Sequence, residues 1–170
     1  RALPSGTVLD GELVAWRDGG VLPFAMLQRR IGRTNLSARV LREAPAVLLA
    51  FDLLEEGGVD LRERPQRERR ARLEALLAAS TPARDGALQL SPLVDAPTWE
   101  AVALARGRAR ARGVEGVMLK RASAPYRVGR VRGDWWKWKV APHTVDAVLV
   151  YAQAGHGRRA SLHTDYTFAV

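Results

Sequence analysis

Residues 46–54 (AVLLAFDLL) limit the possible folds of this chain more than any other segment. Almost all of these side chains are apolar, and the run ends at Glu55-Glu56-Gly57-Gly58, a sequence typical of a turn. A short, continuous apolar run of this kind predicts a strand buried in a sheet. The composition agrees with a folded core, because 47% of the 170 residues are hydrophobic and 26% are charged.

Hydrophobic patterns of period 2 and period 3.6 alternate along the chain and predict both strands and helices. Predicted strands lie at residues 7–16, 46–54, 88–94, 114–120, 135–140, 145–154 and 162–170, and predicted helices at residues 24–31, 65–79 and 97–112. Residues 121–134 predict a loop, and residues 155–159 predict a hairpin turn. This order favours an α+β domain with a mostly antiparallel sheet. Pro142 interrupts the pattern, so we place a domain boundary there, between residues 1–141 and a small all-β unit at 142–170.

Basic residues outnumber acidic ones by 27 to 18, which gives a formal net charge of +9. Such an excess is typical of nucleic-acid binding, although many basic proteins bind no nucleic acid specifically. Of the 27 basic residues 24 are arginine, and Lys120, Lys137 and Lys139 all lie within one window of 20 residues. Lysine offers a compact ammonium that suits phosphate. Because these 170 residues contain no cysteine, they cannot form disulfides, thiol nucleophiles or cysteine zinc sites.

Four short segments put charged side chains on or beside predicted strands. Asp10 and Glu12 are two residues apart, so they share one face of the first strand. With Glu115 they offer carboxylates for Mg²⁺, and the three lysines offer ammonium groups for phosphate oxygens. Phe51 can stack on a base. Together these residues predict a site for a metal-complexed polyphosphate, and the absence of a G-x-x-x-x-G-K sequence excludes a P-loop.

Each of these segments also has a structural explanation. The carboxylates of the first strand can pair with Arg at a sheet edge, and Asp52 can cap a turn. Glu115 can pair with Lys120, and the two later lysines can face water. Phe51 can be a core residue. Taken singly, each charged segment is better explained by its structural role than by a functional one, whereas for Phe51 the two explanations are equally good.

Four motifs occur in order along the chain: Asp10-Gly11-Glu12, residues 51–54 (FDLL), residues 115–120 (EGVMLK) and residues 135–139 (WWKWK). In this order and form they resemble the ATP-dependent DNA ligases of bacterial type, members of the covalent nucleotidyltransferases. Residues 24–30, residues 61–65 and Tyr126 match the family as well. Residues 145–148 and 155–159 resemble the opening of the family's OB-fold domain. The resemblance covers essentially the whole chain, and four ordered motifs are far more specific than a lone Asp-Gly-Glu.

The resemblance implies an adenylation domain of the nucleotidyltransferase, ATP-grasp-like fold, with antiparallel sheets and flanking helices, followed by the first strands of an OB-fold. It implies ATP as the donor of AMP and Mg²⁺ or Mn²⁺ as the metal. The substrate would be nicked duplex DNA, sealed through a lysyl-adenylate and a DNA-adenylate. A monomeric, cytoplasmic, nucleoid-associated protein without membrane association would fit this activity.

The resemblance also implies roles for single residues. Phe51 would stack on adenine, and Glu12 would contact the ribose side of the adenylate. Asp10 or Glu115 would help to hold the metal ion. Lys137 and Lys139 would be catalytic residues that contact the α-phosphate. Lys120 would bind the nucleotide, in a role that the resemblance leaves open.

The chain departs from the family pattern at the nucleophile. The family uses the lysine of a K-x-D-G motif, and no lysine of this sequence is followed by x-D-G. The family's last motif, late in the OB domain, is absent too. We therefore expect an internal fragment that cannot form the enzyme-adenylate by itself.

Three alternatives to an ATP-dependent DNA ligase stay open at this stage. One is an RNA ligase or a capping-type nucleotidyltransferase, which shares the chemistry. An NAD-dependent ligase fits less well, because its zinc-binding cysteines have no trace in this sequence. From a different class, a non-catalytic basic nucleic-acid-binding module would bind duplex DNA through Arg with a steep dependence on salt.

Overall fold

The computed structural model describes residues 3–80, 86–129, 131–142 and 144–170. The chain divides into two compact units, Arg1–Val140 and Ala141–Val170, which we call the first and the second unit. Within the described residues, the first unit contains a five-stranded sheet, a two-stranded hairpin and four α-helices. Helices and antiparallel sheets are thus combined in one chain, and the α+β class predicted from the sequence is confirmed.

Two long antiparallel strands, β1 (Val8–Arg17) and β3 (Ala46–Glu56), form the centre of the five-stranded sheet. Both were predicted from their hydrophobic patterns. The short strands β2 (Gly20–Val21) and β4 (Val59–Asp60) extend the sheet in the order β2-β1-β3-β4. The last member, β5 (Leu88–Leu90), pairs with β3 in parallel and is shorter than the predicted strand at residues 88–94.

A β-bulge interrupts the pairing of β1 with β3. Asp10 pairs with Asp52 and Gly11 pairs with Ala50, so Phe51 is an extra residue on β3 that has no partner on β1. A Cβ atom on Gly11 would lie 2.8 Å from the carbonyl oxygen of Leu49, so this close approach of the strands requires glycine. Bulges redirect side chains and are frequent beside active sites. The first two motifs therefore lie side by side at an irregular point of the sheet.

The core of the first unit lies between this sheet and α3 (Gln66–Ala79), which agrees with the helix predicted at residues 65–79. Pro65 precedes the first helical residue, where its fixed φ and missing N–H are tolerated. A cluster of buried apolar side chains fills the space between sheet and helix: Ala50, Leu53, Leu61, Leu73 and Leu76. Full burial of a leucine side chain contributes about 1.5–3 kcal/mol, so this contact anchors β3 and α3 to each other.

The other helices are short. α1 (Phe24–Gln28) ends earlier than the predicted helix at residues 24–31. α2 (Ala38–Glu43) was not predicted, because six residues give too little hydrophobic periodicity to detect. α4 (Trp99–Gly107) begins after its capping residue Thr98 but ends before the predicted residue 112, where a 3-10 turn replaces it. Within the described ranges, no helix has the length and apolar character needed to cross a membrane.

The third and fourth motifs form an antiparallel hairpin of β6 (Gly116–Lys120) and β7 (Trp135–Lys139). The pairing sets Gly116 opposite Lys139 and Lys120 opposite Trp135. Gly116 has φ +152°, and a Cβ atom there would lie 2.3 Å from the carbonyl oxygen of Trp138, so the motif needs glycine at this position. The predicted loop at residues 121–134 connects the strands; its Arg130 lies outside the described residues.

The second unit contains an antiparallel pair, β8 (Val148–Ala154) and β9 (His163–Ala169). A 3-10 turn at Gly157–Arg159 lies in their connection, at the predicted hairpin turn. β8 begins three residues later than the predicted strand. The second unit therefore has the hairpin that the sequence pattern predicts.

Candidate functional site

The side chain of Lys120 lies between two aromatic rings that belong to two other motifs. Its Nζ atom is 3.9 Å from the ring centroid of Phe51 and 3.8 Å from that of Trp135. The two rings meet edge to face, with their centroids 6.0 Å apart. Phe51 reaches this point from the bulge of β3, while Lys120 and Trp135 are paired neighbours on the hairpin. Three of the four motifs therefore meet at one place.

The ammonium of Lys120 is buried, and its Nζ has no hydrogen-bond partner among the described residues. Burial lowers the pKa of Lys120 to about 8, an effect that the nearby carboxylates of Asp52 and Asp10 partly offset. The two ring faces also favour the charged form through cation–π attraction. A buried cation without a hydrogen-bonded anion is costly, so an anionic ligand group brought to Lys120 would be bound strongly.

The remaining motif, Asp10-Gly11-Glu12, joins this cluster through Asp10. The hydroxyl of Tyr126, in the loop between β6 and β7, donates a hydrogen bond of 2.8 Å to Asp10 Oδ2. The Tyr126 ring also meets Trp135 edge to face, with centroids 5.6 Å apart. Burial, together with the bond to Asp10, raises the pKa of Tyr126 to about 12, so its hydroxyl keeps its proton at neutral pH. Asp10, Phe51 and Lys120 thus belong to one connected cluster.

A fully buried ion pair supports the cluster from the core side. The guanidinium of Arg69, on α3, donates two hydrogen bonds to the Asp52 carboxylate: Nε to Oδ1 at 2.7 Å and Nη2 to Oδ2 at 3.0 Å. Both side chains are 0% exposed. The remaining guanidinium nitrogen, Nη1, donates to the carbonyl oxygens of Arg64 and Ala124. Both oxygens of the Asp52 carboxylate are therefore bound within the core, and this ion pair fixes the position of β3 next to the bulge.

The opposite end of the hairpin carries an exposed ion pair. Lys139 Nζ lies 2.5 Å from Glu115 Oε2, and the two side chains are 54% and 78% exposed. The hydrogen bond from Lys139 lowers the pKa of Glu115. Lys137 is exposed in the middle of β7, paired with Met118 across the hairpin. The alternative structural explanation, a pairing of Glu115 with Lys120, is not what the structure has, because Glu115 precedes the first residue of β6 and Lys120 is its last.

The predicted site residues fall into two groups. Asp10, Phe51 and Lys120 belong to the cluster. Glu12 lies on the same face of β1, two residues after Asp10, and its side chain is exposed. Glu115 and Lys120 are about 16 Å apart along β6, at roughly 3.3 Å per residue. Among the residues that the structure describes, no three His, Cys, Asp or Glu side chains are grouped to hold a metal ion by themselves.

Three residues of the cluster were not singled out from the sequence as site residues: Arg69, Tyr126 and Trp135. Strand alternation puts Trp135 on the same face as Lys137 and Lys139, which was a usable signal. Asp52 within an apolar strand indicated that a cationic partner was needed, but not which arginine would supply it. Tyr126 stood in an Arg-rich loop with no periodicity to place it.

A family model described as an ATP-dependent DNA ligase domain matches residues 1–139. The chain belongs to this DNA ligase family. The resemblance inferred from the four ordered motifs is therefore confirmed, and with it the membership in a family of ATP-dependent enzymes.

Relatives of this ligase-family chain cover most of its length. A probable DNA ligase of Koribacter versatilis is 37% identical over 188 aligned residues, which span 100% of this chain and 33% of that protein. A solved structure of mycobacterial DNA ligase D complexed with ATP and MES is 32% identical, with a TM-score of 0.57 over 78% of this chain and 38% of that one. A Lig E DNA ligase, at 20% identity and a TM-score of 0.66, shares the fold over 94% of this chain. The chain spans about a third of the length of the curated relative from Koribacter.

Proposed function

We propose that this chain supplies the nucleotide pocket of an ATP-dependent DNA ligase that seals nicks in duplex DNA. The observation that carries the proposal is the cluster of Asp10, Phe51, Lys120 and Trp135, because it joins all four family motifs at one place. In the proposed reaction a lysine amine attacks the α-phosphorus of ATP and pyrophosphate leaves. AMP then passes to the 5′-phosphate of a nick, and the 3′-hydroxyl attacks that phosphate and releases AMP. None of the three lysines precedes x-D-G, so none is proposed as the nucleophile.

The roles of the pocket residues follow from their positions. Phe51, displaced from the regular ladder by the bulge, would stack on adenine, and Glu12 would contact the ribose side. Lys120, a buried cation whose Nζ has no hydrogen-bond partner among the described residues, would donate a hydrogen bond to a phosphate oxygen. Lys137 and Lys139, both exposed on β7, would contact the α-phosphate. Phosphoryl transfer depends on such positioning and charge neutralisation more than on side-chain reactivity.

The carboxylates of the chain fit a hard divalent cation. Mg²⁺ is usually held by one or two carboxylates together with substrate phosphates, so a single well-placed carboxylate can suffice. Asp10 meets this need, because its Oδ1 accepts no hydrogen bond from the described residues. Glu115 is the alternative metal contact, and it would be released from Lys139 when phosphate binds the lysine. Mg²⁺ or Mn²⁺ would supply charge neutralisation on the phosphates.

DNA contact is proposed for both units. The net charge of +9 supports attraction to the DNA backbone. The hairpin of the second unit is proposed as the opening of an OB-fold, with the domain boundary at residues 141–142. We further propose a monomer that works in the cytoplasm on nucleoid DNA.

The proposal is tested by intact-mass spectrometry of the full-length protein after incubation with ATP and Mg²⁺, followed by a sealing assay on nicked duplex DNA. We expect the covalent gain of one AMP and sealing of DNA.

Lys137→Ala should lower the sealing rate at least about 100-fold, because one charge-stabilising contact to the reacting phosphate is lost.

Other outcomes of this test point to other functions. Sealing of nicked RNA but not of DNA would make the protein an RNA ligase, and AMP transfer without sealing would favour a capping-type enzyme. Binding of ATP and DNA without any covalent AMP would overturn the proposal in favour of a non-catalytic nucleic-acid-binding module.

A further inference from the structure

Tyr126 connects the hairpin loop to the Asp-Gly-Glu strand by a hydrogen bond that spans 116 residues of sequence. The Tyr126 hydroxyl donates to Asp10 Oδ2, and within the described part of the chain the second oxygen, Oδ1, accepts no hydrogen bond. A donor on one oxygen fixes the rotation of the carboxylate. It also leaves the second oxygen available to a ligand.

The tyrosine itself is held from several sides. Its backbone N–H donates to the carbonyl oxygen of Arg62 at 2.7 Å. Its ring is in edge-to-face contact with Trp135, and the Arg69 guanidinium lies 5.8 Å from the ring centroid. The same guanidinium donates to Ala124, two residues before the tyrosine. The position of the Tyr126 hydroxyl is therefore fixed, because both the backbone and the ring of Tyr126 are held by contacts with other parts of the first unit.

We propose that Tyr126 is a positioning residue of the nucleotide pocket, which holds the Asp10 carboxylate so that its Oδ1 meets a divalent cation. This inference rests on the proposed function, because it takes Asp10 as a metal contact. Tyr126 itself touches neither nucleotide nor metal. Its contribution is the orientation of the carboxylate before the cation arrives, in the way that outer hydrogen bonds orient metal ligands.

The test uses Tyr126→Phe in the full-length protein, which removes the hydroxyl and keeps the ring contacts. Binding of Mn²⁺, followed by electron paramagnetic resonance in the presence of AMP, should weaken about tenfold, the size expected for one hydrogen bond to a charged group. The melting temperature should change little, because the ring still packs on Trp135. Tyr151→Phe is the matched control, since Tyr151 is an exposed tyrosine of the second unit, and it should bind Mn²⁺ like the parent protein.

A double-mutant cycle separates positioning from simple structural support. If Tyr126 acts through Asp10, adding Tyr126→Phe to Asp10→Asn should cause no further loss of Mn²⁺ affinity or of the rate of AMP transfer to lysine. Additive losses, or Mn²⁺ affinity unchanged in Tyr126→Phe while Asp10→Asn weakens it, would overturn the positioning role. If Asp10→Asn itself left Mn²⁺ binding unchanged, the metal role of Asp10 in the proposed function would fail, and this inference with it.

Discussion

The two ion pairs of the motif segments differ in almost every physical respect. Asp52 and Arg69 are 0% exposed and joined by two hydrogen bonds. Glu115 and Lys139 are 78% and 54% exposed and joined by a single contact. One pair links a central strand to the helix behind it. The other pair joins neighbours at the open end of a hairpin.

Exposure decides which of these charged groups can bind a ligand. An exposed pair contributes little to stability, so its members can exchange partners when a phosphate or a metal ion arrives. A buried pair cannot, because separating it leaves an uncompensated charge in the core. Charged residues within family motifs therefore have at least two purposes: Asp52 stabilises the fold, whereas Glu115 and Lys139 remain free to exchange.

The largest expected effect comes from breaking the buried pair. Arg69→Met should lower the free energy of unfolding by about 3–5 kcal/mol, because Asp52 is left charged and unpaired in the core. Denaturation of the full-length protein by urea measures this change. Arg72→Met on the same helix is the control, since Arg72 is exposed and forms ion pairs with Glu56 and Glu68 at the surface. Equal stability of the two variants would show that burial does not distinguish these arginines.

An intermediate effect is expected at Lys120, whose pKa of about 8 in the folded protein lies below its ordinary value of 10.5. Between these pH values the unfolded chain binds a proton that the folded protein has lost, so the free energy of unfolding rises with pH. At about 1.4 kcal/mol per pKa unit, the rise is on the order of 3 kcal/mol.

Lys120→Met removes the titrating group, so it isolates this contribution. Relative to this variant, the parent protein should gain stability as the pH is raised from 8 to 10.5, as measured by urea denaturation at both values. A constant difference between parent and variant across that range would mean that the Lys120 ammonium is not desolvated.

The smallest effect on stability is expected at the exposed pair. Glu115→Gln and Lys139→Met should melt at the temperature of the parent protein, because the pair is solvated and screened by salt. Nick sealing by both variants should nevertheless be severely impaired, since both residues are proposed contacts of the reacting nucleotide. Arg39→Met breaks an exposed pair outside the motifs and should leave both melting and sealing unchanged. A stability loss without a sealing loss in Glu115→Gln would reverse the assignment.

Sequence patterns predicted the elements that rely on local periodicity. The strands β1 and β3 and the helix α3 were predicted close to their observed bounds, because each has a hydrophobic pattern that spans several turns or pleats. Phe51 is different: its apolar run looks uniform, so the bulge that redirects it cannot be predicted from periodicity alone. α2 was missed because its six residues make fewer than two turns.

The candidate site was predictable as a set of motifs but not as a set of contacts. Charged residues on apolar strands identified Asp10, Glu115 and the lysines. The pairing of Asp52 with Arg69 and of Asp10 with Tyr126 joins residues 17 and 116 positions apart, which only the fold brings together. The pairing of Glu115 with Lys139 likewise follows from the register of the hairpin, which sets Gly116 opposite Lys139.

Photoaffinity labelling with 8-azido-ATP shows whether the cluster of Phe51, Lys120 and Trp135 binds the nucleotide, because it locates the base in the full-length protein without relying on catalysis. We expect label in the peptides that contain Phe51 and Trp135, and this label should be suppressed by excess ATP and weakened in Phe51→Leu. Label that ATP suppresses but that lies only outside these peptides would contradict the assignment of this cluster as the nucleotide pocket.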